Sequence, residues 1–524
     1  MNSIAVIDYP VWARALLVAV LAVPAVGAIV VALMPDRAGR IVATAVAAVT
    51  FVLTALLAVN RDAGWFTYGA PPQQPILPWS AVRVRWIPAL QVDFHLAVDG
   101  VSYPLIVLTG LLTLLCCAYT ARTVPAGGSG RTLAALLLVL EVGILGTFLA
   151  FDLVLFFVFF EVVLLPMYAV IAGWGGPDRR RAARKFVLYT LAGSVLLLLG
   201  VFTVVVAAGT GDLLALSGGL GLSRNTQYVA FTLFAVAFAV KAPLWPLHTW
   251  LPDAHTEAPT VGSVILAGVL LKMGTYGLIR VGVGVAPEGA AWAAPVLGVL
   301  AVAAILIGSL VCLRLTELKR LIAYSSVGHM GFVLLGIATL TVTGVQAALL
   351  GNVAHGVITG LLFFLAGAIK DRAHTGLLAE LGGLRESAPR LAGLLAFAAI
   401  ASLGLPGLAG FWGEAFAVVA AIERGGPLWT TLAVLAAIGG ALTAAYFLRL
   451  LRRVTHGPAA QRLPQPGHRG GFAALHNRPE DGIRTIEWAA WSPLVLLALL
   501  LGLAPALVTA ATDGPITAIT EALR

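Results

Sequence analysis

The chain has 524 residues, of which 60% are hydrophobic and 11% charged, and its formal net charge is +9. Charged residues make up about a quarter of an ordinary soluble domain, so this composition indicates an integral membrane protein. Three cysteines without a CxxC pair, and no glycine-rich phosphate loop, argue against an iron–sulfur cluster, a zinc site, a disulfide framework and a nucleotide site in this chain.

Apolar stretches of about 20 residues recur along the chain, a length that suits membrane-spanning helices and not the strands of a membrane barrel. The first stretch is too long for the apolar part of a signal peptide, and we interpret it as a span. The sequence predicts an all-α membrane protein with about fourteen spans, at about 13–34, 41–59, 103–121, 132–150, 153–173, 185–208, 229–250, 259–280, 291–313, 319–340, 345–369, 391–421, 429–451 and 490–511.

Two polar segments separate some of these spans. Segment 60–100 is rich in Pro and Trp and is predicted to be an ordered external loop, and insert 452–488 is predicted to lie on the surface of the membrane domain. Lys and Arg concentrate in the short loops after odd-numbered spans, which argues for membrane orientation and against a nucleic-acid partner. The positive-inside rule places these loops in the cytoplasm and both chain termini outside.

Two predicted spans within 229–280 each carry one lysine near mid-membrane depth, Lys241 and Lys272. A lysine in hydrocarbon costs at least about 2.5–3.5 kcal/mol on insertion scales. Pro243 and Pro246 follow the first lysine, and proline breaks a helix because it lacks a backbone donor and clashes with the preceding turn. A titratable amine beside broken, hydratable backbone is typical of a proton pathway in a membrane.

A second break is predicted in span twelve, at a GLPG sequence shortly before Glu414. Two spans before each break lies another ionisable residue, Glu161 in span five and His329 in span ten. The two sets are five spans apart, and an odd-numbered repeat unit inverts its second copy in the membrane, as in ion-translocating folds. The predicted parts are an N-terminal part, a first half-channel repeat, a second half-channel repeat and a C-terminal part, at 1–131, 132–280, 291–451 and 452–524.

Buried ionisable side chains are the candidates for proton translocation. Burial would favour the neutral form of Glu161, so we expect Lys241 to pair with it, either as a proton-handling pair or as a static tie between helices. Histidine titrates near neutrality and relays protons between its nitrogens, although an intramembrane histidine is often only a hydrogen bonder. The alternative for Lys272 is snorkelling, and for Glu414 an arginine-paired structural role. The candidates are Glu161, Lys241, Lys272, His329, His355 and Glu414.

Four further residues are auxiliary candidates. Glu141 lies in the apolar run LLLVLEVGIL and is either an auxiliary proton site or a hydrogen bonder in helix packing. Asp253, His255 and Glu257 are predicted to form a cytoplasmic cluster. Their spacing matches no zinc motif, so we expect them to collect protons or brace a loop.

Several stretches resemble a known family. They are FFEVVLLPMYAVIAGWGG, KAPLWPLHTWLPDAHTEAPTVGSVILAGVLLKMGTYGLIR, LKRLIAYSSVGHMGF and GLPGLAGFWGE. These stretches are similar to the antiporter-like membrane subunits of bacterial respiratory complex I, the proton-pumping NADH:quinone oxidoreductase, and most of all to the M type. The resemblance to the M type rests on Glu414, where L-type and N-type subunits are expected to have lysine. It also rests on a chain that ends soon after its last span, without the long lateral helix of the L type.

The resemblance implies that the six main candidates form a proton channel along the membrane midplane. It also implies that this chain holds no redox cofactor, while FMN, iron–sulfur clusters and quinone belong to partner subunits. L-type and N-type neighbours and a bacterial plasma membrane location are expected. Two alternatives stay open, a subunit of a multi-chain cation/proton antiporter and a subunit of a membrane-bound hydrogenase. A passive anchor fits poorly, because an anchor gains nothing from buried lysines.

Overall fold

The computed structural model describes residues 9–60, 78–88, 92–457 and 483–521. Within these ranges, twelve helices have the length and apolar composition of membrane spans. Their bounds are Val11–Leu33, Asp36–Val59, Tyr103–Arg122, Gly130–Leu149, Leu153–Trp174, Arg179–Ala208, Thr260–Val283, Pro287–Cys312, Leu318–Thr339, Val342–Ala373, Gly426–Thr455 and Thr485–Leu503. The prediction of a helical membrane protein is confirmed, and the count of fourteen spans stays a prediction.

Two of the predicted spans are interrupted helices. The first broken helix consists of Arg224–Lys241 and Trp250–Glu257, with a non-helical connection that contains Pro243 and Pro246. The second broken helix consists of Pro389–Ser402 and Ala409–Arg424. Both breaks lie where the sequence predicts them, because proline cannot continue the hydrogen-bonding pattern of a helix.

Three helices form the centre of the bundle. We call Thr260–Val283 the lysine helix, and Leu318–Thr339 and Val342–Ala373 the two histidine helices. Each is 94% buried over its most apolar window. Helices at the periphery are only 33–39% buried over the same length, and their large apolar side chains face outward. Such a surface is stable in hydrocarbon, where every backbone polar group must be satisfied within the helix itself.

The predicted external loop contains a β-hairpin, a small addition to the helical fold. Strand Ser80–Ile87 pairs antiparallel with Val92–Val98. Its sequence is rich in Val, Ile and aromatic residues, which favour strands once a neighbouring surface buries one face. The backbone of Leu96 pairs with that of Ala150, so the hairpin is fixed to the end of helix Gly130–Leu149. The rest of the predicted loop, residues 61–77 and 89–91, lies outside the described residues.

The predicted last span also needs correction. Its helix ends at Leu503, and a further helix, Ala506–Glu521, follows Pro505. Proline at the start of a helix is favourable, whereas inside one it removes a hydrogen bond, so the chain bends here. The polar insert is shorter than predicted, because its flanking helices reach Thr455 and begin at Thr485, and residues 458–482 lie outside the described residues.

Short elements complete the described structure. They are the 3-10 turns Leu57–Asn60, Ser217–Gly219 and Leu378–Glu380 and the helical turn Leu384–Ser387. The lysine helix contains two π-helical segments, Leu266–Leu270 and Leu278–Val283, one on each side of its lysine. π-helical segments are rare and are frequent at functional sites.

Candidate proton pathway

Lys272 lies between the two π-helical segments and is fully buried. Its ammonium group donates a hydrogen bond to the carbonyl oxygen of Ala267 and lies 2.6 Å from Nδ1 of His355. The Ala267 carbonyl group belongs to the first π-helical segment, so irregular backbone supplies the acceptor for the amine. The snorkelling alternative is wrong, because a snorkelling amine would reach the membrane surface.

His355 continues the path on the neighbouring histidine helix. Its Nδ1 faces the lysine amine, so when that amine donates, the proton of a neutral ring is on Nε2. Nε2 is buried and has no hydrogen-bond partner among the residues that the structure describes. The ring of His329 lies edge-on to that of His355, with the centroids 5.7 Å apart. The two histidines are thus close enough to be joined by one water molecule.

His329 connects the histidine helices to both halves of the second broken helix. Its Nδ1 lies 2.6 Å from Oε1 of Glu414, and its Nε2 lies 2.9 Å from Oγ of Ser402. Ser402 ends the first half of that helix, and Glu414 lies in the second half. The alternative role for Glu414, a structural pair with arginine, is wrong, because its partner in the structure is a histidine.

A small cavity lies where these groups meet. Its volume is about 20 Å³, which is enough for roughly one water molecule. The cavity is lined by the polar side chains of His329, His355, Thr359, Ser402 and Glu414, with apolar residues between them. The Glu414 side chain is 16% exposed, so this end of the path approaches the surface of the chain. The geometry can pass a proton from an amine through two imidazoles to a carboxylate.

Lys241 lies at the last residue before the first break, and it is buried. Its Nζ lies 4.8 Å from the centroid of the Phe160 ring, a cation–π contact. Glu161 acts on this lysine electrostatically, but no nitrogen–oxygen distance of 4.0 Å or less joins them in the described part of the chain. The predicted ion pair is therefore not formed as a direct contact, and the amine lies against the Phe160 ring.

Glycines bring the backbones of these helices together. A methyl group on Gly274 would lie 2.7 Å from the backbone nitrogen of Ala242, at the first break. A methyl group on Gly356 would lie 2.6 Å from the carbonyl oxygen of Gly268. Only glycine permits such close approach between helices. Close packing thus places both the first break and a histidine helix against the lysine helix.

The auxiliary candidates lie in different places. Glu141 is fully buried, and neither carboxylate oxygen has a hydrogen-bond partner among the described residues. The auxiliary proton role and the role as a hydrogen bonder in helix packing both stay predictions. The carboxylate is near Cys117, which offers no strong donor.

The predicted cluster of Asp253, His255 and Glu257 is divided in the structure. Asp253 pairs with Lys185 at 2.7 Å and Arg320 at 3.5 Å. Glu257 accepts a hydrogen bond from the backbone of a neighbouring loop, and thus braces that loop. His255 instead lies in the core, stacked on an aromatic ring at 4.5 Å. Helix geometry explains the division, since the middle residue of the three points to another face. Within the described ranges, no three His, Cys, Asp or Glu side chains are close enough to hold a metal ion.

Sequence reasoning missed three partners on this path: Ser402, Phe160 and the Ala267 carbonyl group. None carries a charge, so none stands out in an apolar run. A serine as the last residue before a predicted break is a signal that could have been used, because a hydroxyl near freed backbone is often a hydrogen-bond partner.

A multi-pass helical fold with two broken helices and a buried series of titratable groups defines an ion-translocating membrane protein. Residues 150–440 match the family described as "NADH:quinone oxidoreductase/Mrp antiporter, TM". The chain belongs to this family.

Two relatives are similar over most of their length. The chain is 40% identical over 450 residues to NAD(P)H-quinone oxidoreductase chain 4 1 of Synechococcus sp. (strain JA-3-3Ab), covering 85% of this chain and 82% of that one. It is 38% identical over 486 residues to NADH-quinone oxidoreductase subunit M of Rhodobacter capsulatus, covering 90% and 89%.

Solved structures share the fold. A chain of respiratory complex I from Thermus thermophilus with bound NADH aligns with a TM-score of 0.83 and 30% identity, over 97% of this chain and 100% of that one. A chain of the Mrp complex from Dietzia sp. DQ12-45-1b aligns with a TM-score of 0.79 and 24% identity, over 98% of this chain and 52% of that one. The second likeness is one of fold alone.

Proposed function

We propose that the chain is the M-type proton-translocating membrane subunit of an NADH:quinone oxidoreductase. The observation that carries the proposal is the series of contacts from Lys272 through His355 and His329 to Glu414. Each member can bind and release a proton, and the series crosses from the lysine helix to the second broken helix. Relatives named as complex I subunits at 38–40% identity support the same function.

Protons move along this path when charge shifts at its ends. Quinone reduction in neighbouring subunits weakens the attraction of Glu161 for Lys241, and a proton passes to Lys272 across the close contact of the two helices. The Lys272 ammonium then gives a proton to Nδ1 of His355, whose Nε2 proton leaves toward His329 and Glu414. Moving one charge against the membrane potential requires about 2.3 kcal/mol per 100 mV, and conformational coupling must supply this energy.

The setting of the subunit belongs to the same proposal. The chain holds no redox group, and FMN, iron–sulfur clusters and quinone are in partner subunits of the membrane-bound complex. L-type and N-type subunits flank it in the membrane arm of a bacterial plasma membrane, with both termini on the outer side. The location of Lys and Arg in alternate loops supports this orientation.

Substitution of Lys241 and of Glu161, the acidic residue that acts on it, tests the function. We expect Lys241→Ala and Glu161→Ala complexes to assemble and to lose NADH-driven proton pumping and quinone reduction together, each by more than about tenfold, because the proton step and the redox step are coupled. Pumping is measured in proteoliposomes with a pH-sensitive dye. Lys370→Ala is the matched control, since this lysine lies at the end of a histidine helix, away from the path. Full activity in either path variant would refute the role of that residue.

The alternative is a subunit of a cation/proton antiporter. The fold is compatible with it, because a chain of the Mrp complex has a similar fold. Inverted membrane vesicles separate the two functions. We expect NADH-driven pumping that is the same with and without a sodium gradient. Proton movement driven by the sodium gradient alone would favour the antiporter.

A further inference from the structure

A second column of polar side chains begins at Lys272 and runs along the lysine helix in the opposite direction. Tyr276 and Arg280 follow at intervals of four residues, on the same face of the helix. The fully buried Tyr276 hydroxyl donates a hydrogen bond to the carbonyl oxygen of Phe148 at 3.1 Å. It accepts one from Nε of Arg280 at 3.4 Å. The column points toward the end of the helix that the positive-inside rule places outside.

Arg280 and Asp99 close this column with an ion pair. Their side chains are 11% and 5% exposed. Asp99 is held by the backbone amides of Val101 and Ser102, at 3.1 and 3.0 Å from Oδ1. The guanidinium group also lies 4.8 Å from the centroid of the Phe151 ring. Several different elements thus hold the pair in one orientation.

The guanidinium charge of this pair matters for proton movement. Arg280 contacts Tyr276 on the side of Lys272, and Asp99 pairs with it from the segment just before helix Tyr103–Arg122. An arginine stays protonated in proteins, so its guanidinium group cannot relay a proton. A fixed positive charge in a narrow passage excludes protons and cations. Lys272 also points away from it, since its contacts are Ala267 and His355.

We propose that the Arg280–Asp99 pair is an electrostatic stopper that prevents protons from crossing between Lys272 and the nearby outer surface. The protons on Lys272 then leave only through His355 toward Glu414. This inference rests on the proposed function, because a stopper matters only where Lys272 carries protons. Arg280 is a positioning residue in this role, since it acts on the proton through its charge and not by taking part in transfer.

A passive leak assay tests the stopper. The purified complex with Arg280→Gln is placed in liposomes, a potassium diffusion potential is imposed without NADH, and proton uptake is followed with a pH-sensitive dye. We expect the leak to rise about tenfold, the change that follows when a barrier falls by about 1.4 kcal/mol. Adding Lys272→Met should return the leak to the wild-type rate, because the leaking protons pass over that lysine.

Arg224→Gln is the matched control. Arg224 pairs with Glu288 at 3.1 Å near the same end of the bundle, but the two side chains are 72% and 50% exposed. This variant should be as proton-tight as the wild type. If Arg280→Gln does not assemble, Arg280→Met keeps the length of the side chain and takes its place.

Three results would overturn the stopper. They are a tight Arg280 variant, a leak that Lys272→Met does not suppress, and failure of both Arg280 variants to assemble, which would make the pair a structural brace. NADH-driven acidification by wild-type liposomes is measured separately. Its absence would reject the proposed function, whereas the leak assay needs no redox turnover, so the two failures are distinguishable.

Discussion

The imidazole of His329 makes two hydrogen bonds, one to each half of a broken helix. Its Nδ1 meets Glu414 and its Nε2 meets Ser402, so the ring is fixed only while both halves keep their places. A shift of either half would change the distance over which the proton moves. A small movement at the break in the second broken helix can therefore change proton transfer by turning the His329 ring, without a large motion of the bundle.

Removal of one of these bonds should slow the pump without abolishing it. We expect Ser402→Ala to lower NADH-driven pumping about fivefold, because a lost hydrogen bond of about 1 kcal/mol leaves the ring free to turn from Glu414. The measurement is the initial rate of acidification in proteoliposomes.

Ser326→Ala is the control for this serine. Ser326 is fully buried in the helix that carries His329. Its hydroxyl donates to the Ile322 carbonyl group of that same helix and not to the histidine. Its removal should leave pumping near the wild-type rate. Equal effects of the two substitutions would show that Ser402 has no special role in holding the histidine.

The candidate residues could be predicted from the sequence because a charge in hydrocarbon is costly and has few structural reasons to be there. In the structure Lys272 lies against His355, His355 is near His329, and His329 lies against Glu414, an order that the sequence did not predict. Their neutral partners could not be predicted, since a serine or a carbonyl group is ordinary in an apolar helix. The contact of Lys241 with Phe160 depends on side-chain rotation, about which sequence spacing says nothing.

At the scale of helices, the path depends on how closely two backbones approach. Gly356 lies against Gly268 of the lysine helix, one residue from His355. A methyl group there would lie 2.6 Å from the Gly268 carbonyl oxygen and 2.7 Å from Leu108, closer than real carbon contacts allow. The two helices would have to separate.

We expect Gly356→Ala to reduce pumping more than about tenfold although it changes no charge, because the His355–Lys272 contact would lengthen. Pumping and quinone reduction are measured as for the lysine variants. Gly393→Ala is the control, since a methyl group on this helical glycine meets no atom within 4 Å. Normal pumping by the Gly356 variant would mean that the path does not need this close contact.

The broken helices could be predicted because proline and glycine act locally on the backbone. The hairpin could not, since Ser80–Ile87 becomes a strand only by pairing with Val92–Val98, which the end of helix Gly130–Leu149 holds in place. The π-helical segments also escape prediction, because an extra residue in one turn leaves no mark on composition. The final helix was missed because Ala506–Glu521 continues the apolar pattern of the preceding span.

At the scale of the whole molecule, the hairpin is tied to the loop after helix Arg179–Ala208 by one buried carboxylate. Asp212 lies 3.1 Å from Nδ1 of His95 and 3.0 Å from the guanidinium group of Arg83. Burial alone would raise the pKa of Asp212, but the hydrogen bond and charge of His95 and the charge of Arg83 outweigh it and hold the pKa below its ordinary value.

A carboxylate with a lowered pKa in the folded state stabilises that state above the ordinary pKa, and its contribution is lost as the pH falls through the folded value. We therefore expect Asp212→Asn to speed amide hydrogen exchange in the hairpin at pH 7. The difference from the wild type should disappear as the pH falls below about 3.8, the ordinary pKa of this carboxyl group. Exchange is measured on hairpin peptides from both proteins at each pH.

Glu288→Gln serves as the control, because its partner Arg224 is largely in solvent and surface pairs contribute little. The Glu288→Gln variant should leave amide hydrogen exchange in the hairpin unchanged, both at pH 7 and below about pH 3.8. A difference for Asp212→Asn that does not shrink as the pH falls below about 3.8 would show that the side chain acts through packing and not through its charge.

The near-complete enclosure of the three central helices has a consequence for how the protein tolerates change. Lipids and outward-facing substitutions contact only the peripheral helices. These helices separate the proton path from the bilayer. Protons must therefore enter and leave at the ends of the path. The apolar side chains of the surrounding helices prevent protons from escaping from its middle into the bilayer. Substitutions that cause a proton leak should therefore cluster at the polar ends of the path and be rare along its middle.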